Sequence, residues 1–110
     1  MSEVVVALTT VPAGFDVTSL AQDLVGSGVA ACVTVFPSVR SVYTWEGVPQ
    51  TDEEQQLLVK TTSDQVDGLW EMLRERHPYE VPEFLILPVI GGNDEYVRWI
   101  ERTTGPKAES

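Results

Sequence analysis

The chain has 110 residues, 43% of them apolar, which is enough for one ordinary hydrophobic core and a single domain. Seventeen acidic against seven basic side chains give a net charge of -10, which repels phosphate backbones and anionic lipid surfaces, so neither nucleic acid nor a membrane is expected as a partner. Cys32 is the sole cysteine, which excludes an intrachain disulfide and the paired-cysteine zinc and redox motifs. No run approaches the roughly 20 apolar residues of a membrane span, and Val4–Leu8 is too short for an export signal, so a cytoplasmic location is the expectation.

In chain order, Val4 to Leu8 is a continuous apolar run bounded by Thr9, Thr10 and Pro12, the pattern of a strand buried on both faces. Asp16 is placed to cap a helix in which Val17, Leu20, Ala21, Leu24 and Val25 recur at helical spacing, and Gly28 offers a left-handed stop. From Ala30 to Trp45 the chain is rich in Val, Thr, Phe and Tyr, with Pro37 at a bulge or edge position. Glu46-Gly47 opens a turn, and Gln55 to Thr61 reads as the returning strand. Thr62 with Gln65 matches a capping box, and Val66, Leu69, Trp70 and Leu73 form the stripe of a second helix ending near His77. Phe84 to Ile90 is another buried strand. Gly91-Gly92 breaks it, Asn93 caps a third helix carrying Tyr96, Val97, Trp99 and Ile100, and a polar, frayed tail runs from Gly105.

The order β-α-β-β-α-β with an appended helix predicts an α+β, ferredoxin-like domain over residues 1–104, with a flexible tail at 105–110. Length adds a constraint. Residues 30–45 span roughly 50 Å when extended, whereas a globule of this size has a diameter of about 34 Å. The hairpin of the second and third strands must overhang the domain or bend at Pro37. An overhanging ribbon carrying Val42, Tyr43 and Trp45 exposes apolar surface and unpaired edges, so a closed homo-oligomer is expected.

His77-Pro78-Tyr79-Glu80-Val81-Pro82-Glu83 holds the only histidine, two prolines that force extended neighbours, and two carboxylates. It serves either as a site or as a rigid helix-to-strand connector. Together with Leu8-Thr9-Thr10-Val11-Pro12, Ala30-Ala31-Cys32-Val33, Ser41-Val42-Tyr43-Thr44-Trp45-Glu46-Gly47, Lys60-Thr61-Thr62 and Tyr96-Val97-Arg98-Trp99, this segment resembles the CutA divalent-cation tolerance family from Val4 to about Thr104. The resemblance implies a homotrimer of ferredoxin-like subunits, similar in architecture to PII-like signalling proteins, with a role in tolerance of copper and other divalent metals. It also implies copper binding as described in some members, which carry a cysteine where this chain has Thr9 and a second histidine where it has Arg76. Arg76 thus brings a permanent positive charge to the place a metal would take.

The candidate metal ligands are His77, Glu80 and Cys32. His77 with Glu80, Glu83 or a water makes a borderline N/O site for copper(II) or zinc, or else His77 simply ends its helix. Cys32 is a soft ligand for copper(I) or a buried core cysteine. Tyr43, Trp45 and Glu46, with Lys60 and Tyr79, line an intersubunit cleft for a ligand or seal the subunit interface; Lys60 fixes an anion there or pairs with a carboxylate. Asp52-Glu53-Glu54 reads as a solvated hairpin edge, or as a loose hard-cation site when repeated in a trimer. No Ser-His-Asp order and no glycine-rich phosphate loop occurs, so the chain reads as a non-enzyme. The two function classes are a trimeric metal-tolerance protein, with no obligatory cofactor and copper or another divalent cation as ligand, and a PII-like module binding a small anion.

Overall fold

A computed structural model describes residues 3–105. The elements follow in the order β1 (Val4–Pro12), α1 (Val17–Gly26), β2 (Cys32–Trp45), β3 (Val48–Thr62), a 3-10 turn (Ser63–Gln65), α2 (Val66–Arg76), β4 (Leu85–Pro88) and α3 (Asp94–Thr103). The strands form one antiparallel sheet in the order β2-β3-β1-β4. Every predicted element is present, and the differences lie in their extents and their ends.

The period-2 alternation of β1 and β3 turns Ala7, Val11, Leu57 and Val59 toward the helices, where they meet Leu20 and Leu24 of α1 and Leu69 and Leu73 of α2 in one core. Each of these leucines is fully buried and contributes about 1.5–3 kcal/mol by leaving water. A smaller cluster of Val4, Ala31 and Ile100 seats α3 at the far end of the sheet. Gln55, at the hairpin end of the core face, donates from its Nε2 to the carbonyls of Pro12, Ala13 and Phe15, holding the loop between β1 and α1. Asp16 caps α1 by accepting from Ser19 N–H, and Asn93 caps α3 by accepting from Glu95 and Tyr96 N–H.

The capping box expected at Thr62 and Gln65 does not form. The Thr62 hydroxyl donates to Asp64 at 2.6 Å, and the chain enters α2 through the tight 3-10 turn. β4 is shorter than Phe84–Ile90 and is not buried: it pairs only with β1, so its side chains lie exposed at a sheet edge. The frayed tail expected from Gly105 lies outside the described residues except for Gly105 itself, whose N–H donates to the Gly28 carbonyl at 2.8 Å.

The hairpin both bends and overhangs. Its register shifts between Phe36 and Val39, the bulge expected at Pro37, which has no N–H for the ladder. β1 ends at Pro12 opposite Glu54, whereas β2 and β3 stay paired to Trp45 and Val48, so the outer half is a two-stranded ribbon. The returning strand begins at Val48 and not at Gln55, because cross-strand pairs extend the ladder: Arg40 Nε lies 3.3 Å from Glu53, and the Tyr43 hydroxyl donates to Asp52. Glu46 and Gly47 turn the ribbon with φ of 50° and 80°. The ribbon gives the molecule principal extents of 48 × 31 × 22 Å.

Candidate functional site

A groove of about 680 Å³ runs along the ribbon, from where it leaves the sheet at Glu54 to Trp45 beside its turn. Its ribbon wall is Ser41, Val42, Tyr43 and Trp45 of β2 with Glu54 of β3; Thr10 of β1 and the segment Pro78–Val81 with Glu83 complete it. Helix α2 stops at Arg76 because Pro78 disallows a helical His77, which takes ψ 130° and sends the chain across the end of β1. Three glutamates line the groove, and among the described residues no lysine, arginine or histidine does.

Glu54 sits at the junction. Read from sequence as part of a solvated edge, it is 5% exposed, because the even positions of β3 face away from the helices and Tyr79 closes over this one. Its Oε2 accepts from the Tyr79 hydroxyl at 2.7 Å, and its Oε1 has no protein partner among the described residues. Burial first, and then this bond and the nearby negative charge, hold the Tyr79 phenol well above its ordinary value; the Tyr43 phenol is raised chiefly by its bond to Asp52. Both hydroxyls therefore stay neutral donors to carboxylates at physiological pH. Glu83 Oε2 accepts from Gln56 Nε2 at 3.2 Å, which fixes the far wall.

His77 is next to the groove but outside its lining. Its Nε2–H donates to the Thr10 carbonyl at 2.6 Å, and its Nδ1 accepts from Tyr79 N–H at 3.1 Å. A carbonyl only accepts, so the two bonds fix the neutral Nε2–H tautomer and occupy both ring nitrogens. Bound this way, His77 positions Tyr79 and ties the connector to β1. A metal would have to break one of these bonds to reach it.

The remaining candidates are dispersed. Cys32 pairs with Lys60, four residues along β3 from the Gln56 that faces Thr10, and β2 and β1 flank β3 on opposite sides, so roughly 16 Å separates its backbone from the His77 anchor. Cys32 is half-buried at the edge of the sheet and is not a core cysteine. The Lys60 ammonium lies 3.9 Å from its thiol and 3.2 Å from the Thr34 hydroxyl, so it neither enters the groove nor pairs with a carboxylate, and its charge opposes a cation at Cys32. Glu46 belongs to the turn and does not line the groove. Arg76 turns to α1, where it pairs with Asp23 and Ser19. Among the described residues no three His, Cys, Asp or Glu side chains converge as a metal-ligand set. His77, Glu80 and Cys32 of one chain do not fit a copper centre.

Of the predicted cleft, Tyr43, Trp45 and Tyr79 come together, while Glu46 and Lys60 do not; Glu80, expected as a metal ligand, lines the same groove without His77 or Cys32. Thr10, Glu54 and Val81 were not predicted to line it. The signal for Glu54 was the alternation of Gln55, Leu57, Val59 and Thr61, which assigns the even positions to the opposite face.

The fold and groove define a class: an α+β protein with a four-stranded antiparallel sheet, two helices on one face and a third at its end, an overhanging hairpin and an acidic cleft along that hairpin. The CutA1 divalent ion tolerance protein family matches residues 5–103, and the chain belongs to that family. The divalent-cation tolerance protein CutA of Thermus thermophilus is 43% identical over 105 residues, covering 96% of this chain and all of that protein; its solved structure superposes with a TM-score of 0.86. The chloroplastic rice protein CutA 1 is 40% identical over 100 residues, 91% of this chain, and this chain spans 56% of that protein's length. The rice CutA1 crystal structure also gives a TM-score of 0.86, covering 94% of each chain. The family name describes tolerance of divalent ions and not a reaction.

The expected cytoplasmic location is overturned. The rice relative is chloroplastic, and a 27% identical CutA structure from Archaeoglobus fulgidus, with a TM-score of 0.85 over 91% of this chain and 97% of that one, is described as periplasmic. Family membership therefore does not fix the compartment. What holds among the described residues is that no helix is long and apolar enough to cross a membrane.

Proposed function

We propose that this chain is a non-catalytic divalent-cation tolerance protein that works as a homotrimer and receives cations, copper among them, at the acidic groove. The observation that carries this reading is the groove's one-sided charge: Glu54, Glu80 and Glu83 with no basic side chain among the described residues, in a chain of net charge -10. Such a concavity concentrates cations. Its carboxylates are spread along the walls, which suits a hydrated ion held partly through its own waters. The same charge disfavours the anion-binding alternative, which relied on Lys60.

Exposed apolar surface supports the assembly. Val42 is 71% exposed, Trp45 45% and Ile90 fully, while β4 and the ribbon leave unpaired edges. Covering these with further copies satisfies the edges and removes the apolar area from water. Strand order and pairing support a ferredoxin-like reading of the domain, and the family resemblance supports three copies.

Calorimetric titration with zinc and copper(II), together with sedimentation equilibrium, tests the proposal. Glu80→Gln combined with Glu83→Gln should weaken binding by about tenfold or more, Cys32→Ser should leave it unchanged, and the mass should be that of a trimer. Loss of binding in Cys32→Ser, with the double glutamine variant unaffected, would move the site elsewhere. A monomer at micromolar concentration would contradict the assembly.

A further inference from the structure

Residues 78–83 cross from α2 toward β4 outside any helix or strand, and among the described residues they make no backbone-to-backbone hydrogen bond. Side chains hold this connector instead. A backbone N–H away from water needs a partner, and the half-buried Tyr79 gives its N–H to a side-chain nitrogen, His77 Nδ1 at 3.1 Å. The same ring donates from Nε2 to the Thr10 carbonyl at 2.6 Å, so one imidazole joins the end of β1 to the connector. Further along, the Tyr79 hydroxyl donates to Glu54 and Gln56 Nε2 donates to Glu83.

The bond at Nδ1 exists only while that nitrogen carries no proton. Protonation turns it from an acceptor into a donor, and two donors then face each other across 3.1 Å. The Nε2–H bond to Thr10 survives the change, and the ring stands at the C-terminal cap of α2, where a positive charge is favoured. Protonation therefore breaks the bond to the connector and keeps the bond to β1.

The charged groups near the ring are already engaged or lie apart from it. β1 presents the Thr10 carbonyl, and Glu54 of β3 connects to the ring only through Tyr79, whose own ring is 4.9 Å away between centroids. On α2, Arg76 pairs with Asp23 of α1 and Arg74 with Glu71, while Glu75 is exposed. Glu80 and Glu83 line the groove, and His77 does not. Imidazole is the one side chain whose ordinary ionisation falls between about pH 5 and 8, and this chain has one histidine.

We propose that His77 is a pH-operated clasp: the neutral ring fixes the connector to the end of β1, and protonation at Nδ1 releases the Tyr79 N–H and lets the backbone there move. Thr10, His77 and Tyr79 belong to one chain, so the clasp depends neither on which surfaces further copies cover nor on the cation reading of the groove.

The test is nuclear magnetic resonance of the isotope-labelled intact protein between about pH 8 and about pH 5. It reads the His77 ring nitrogens together with backbone amide exchange, corrected for the intrinsic effect of pH. Protection of the Tyr79 N–H should fall by about tenfold or more as the ring gains its second proton, while the core amides of Leu57 and Val59 keep theirs. In His77→Gln that step should be absent; if this variant misfolds, the unaltered protein decides alone. Unchanged Tyr79 protection across the ring's titration would overturn the proposal. So would a ring that stays singly protonated down to about pH 5, or loss of core protection in the same step, which would make the event an unfolding.

Discussion

Thr9 is 1% exposed, and its hydroxyl has no hydrogen-bond partner among the described residues. It stands between Ala7 and Val11 on the core face of β1, where a hydroxyl is a cost without a return. Thr9→Val keeps the shape and removes the polar atom, so it should raise the unfolding free energy by about 1 kcal/mol, read from the urea midpoint; destabilisation would show that the hydroxyl has a partner in solution. Tyr79 makes the opposite case, a polar group that the fold satisfies. Its phenol is raised, so folding favours the neutral form; that contribution is complete below about pH 10 and is lost as pH climbs from there through the folded value. Tyrosinate absorbance should therefore show Tyr79 and Tyr43 ionising later than free tyrosine. Glu54→Gln should bring Tyr79 part of the way back, since burial persists; an unchanged midpoint would remove Glu54 from the account. Residue chemistry was only partly legible in the sequence. His77 was visible as unusual, but the two bonds that occupy its ring depend on where β1 ends. Cys32 and Lys60 looked independent because their pairing across β2 and β3 is a matter of register.

The elements were legible where a single segment carries its own signal. Spacing of Val17, Leu20 and Leu24 gave α1, Asn93 gave the start of α3, and Pro37 and Glu46-Gly47 gave the bulge and the turn. Segments whose surroundings decide their state were misread. Leu85, Ile86 and Leu87 have the composition of a buried strand but occupy an edge, and Asp52, Glu53 and Glu54 have the composition of a loop but extend a ladder. Gly28 joins two elements: at φ +86° it ends α1, and a Cβ there would come within 1.9 Å of the Gly105 carbonyl oxygen, against which the end of α3 docks. Gly28→Ala should cost about 2 kcal/mol or more, through left-handed strain and the lost docking. Gly14→Ala, where nothing lies within 4 Å of the added carbon, is the control and should stay within about 0.5 kcal/mol. Equal costs in the two variants by chemical unfolding would contradict this role for Gly28.

For the molecule as a whole, the length of the hairpin against the size of the domain foretold the overhang, and the extent of 48 Å along one axis against 31 and 22 Å across it agrees. The groove was less legible, because it is made by three separated stretches: the ribbon, the end of β1 and the His77–Glu83 connector. Its lining carries Glu54, Glu80 and Glu83 and not the histidine, so the proposed cation site rests on carboxylates. The chain has one histidine, so its imidazole gives a single, unambiguous nitrogen signature. The most direct measurement is a zinc titration of isotope-labelled protein followed by nuclear magnetic resonance. The side-chain carboxyl carbons of Glu54, Glu80 and Glu83 should shift with zinc, while the two ring nitrogens of His77 keep the values of the Nε2–H tautomer. Movement of either His77 nitrogen to a metal-bound value, with the glutamates unmoved, would contradict the account.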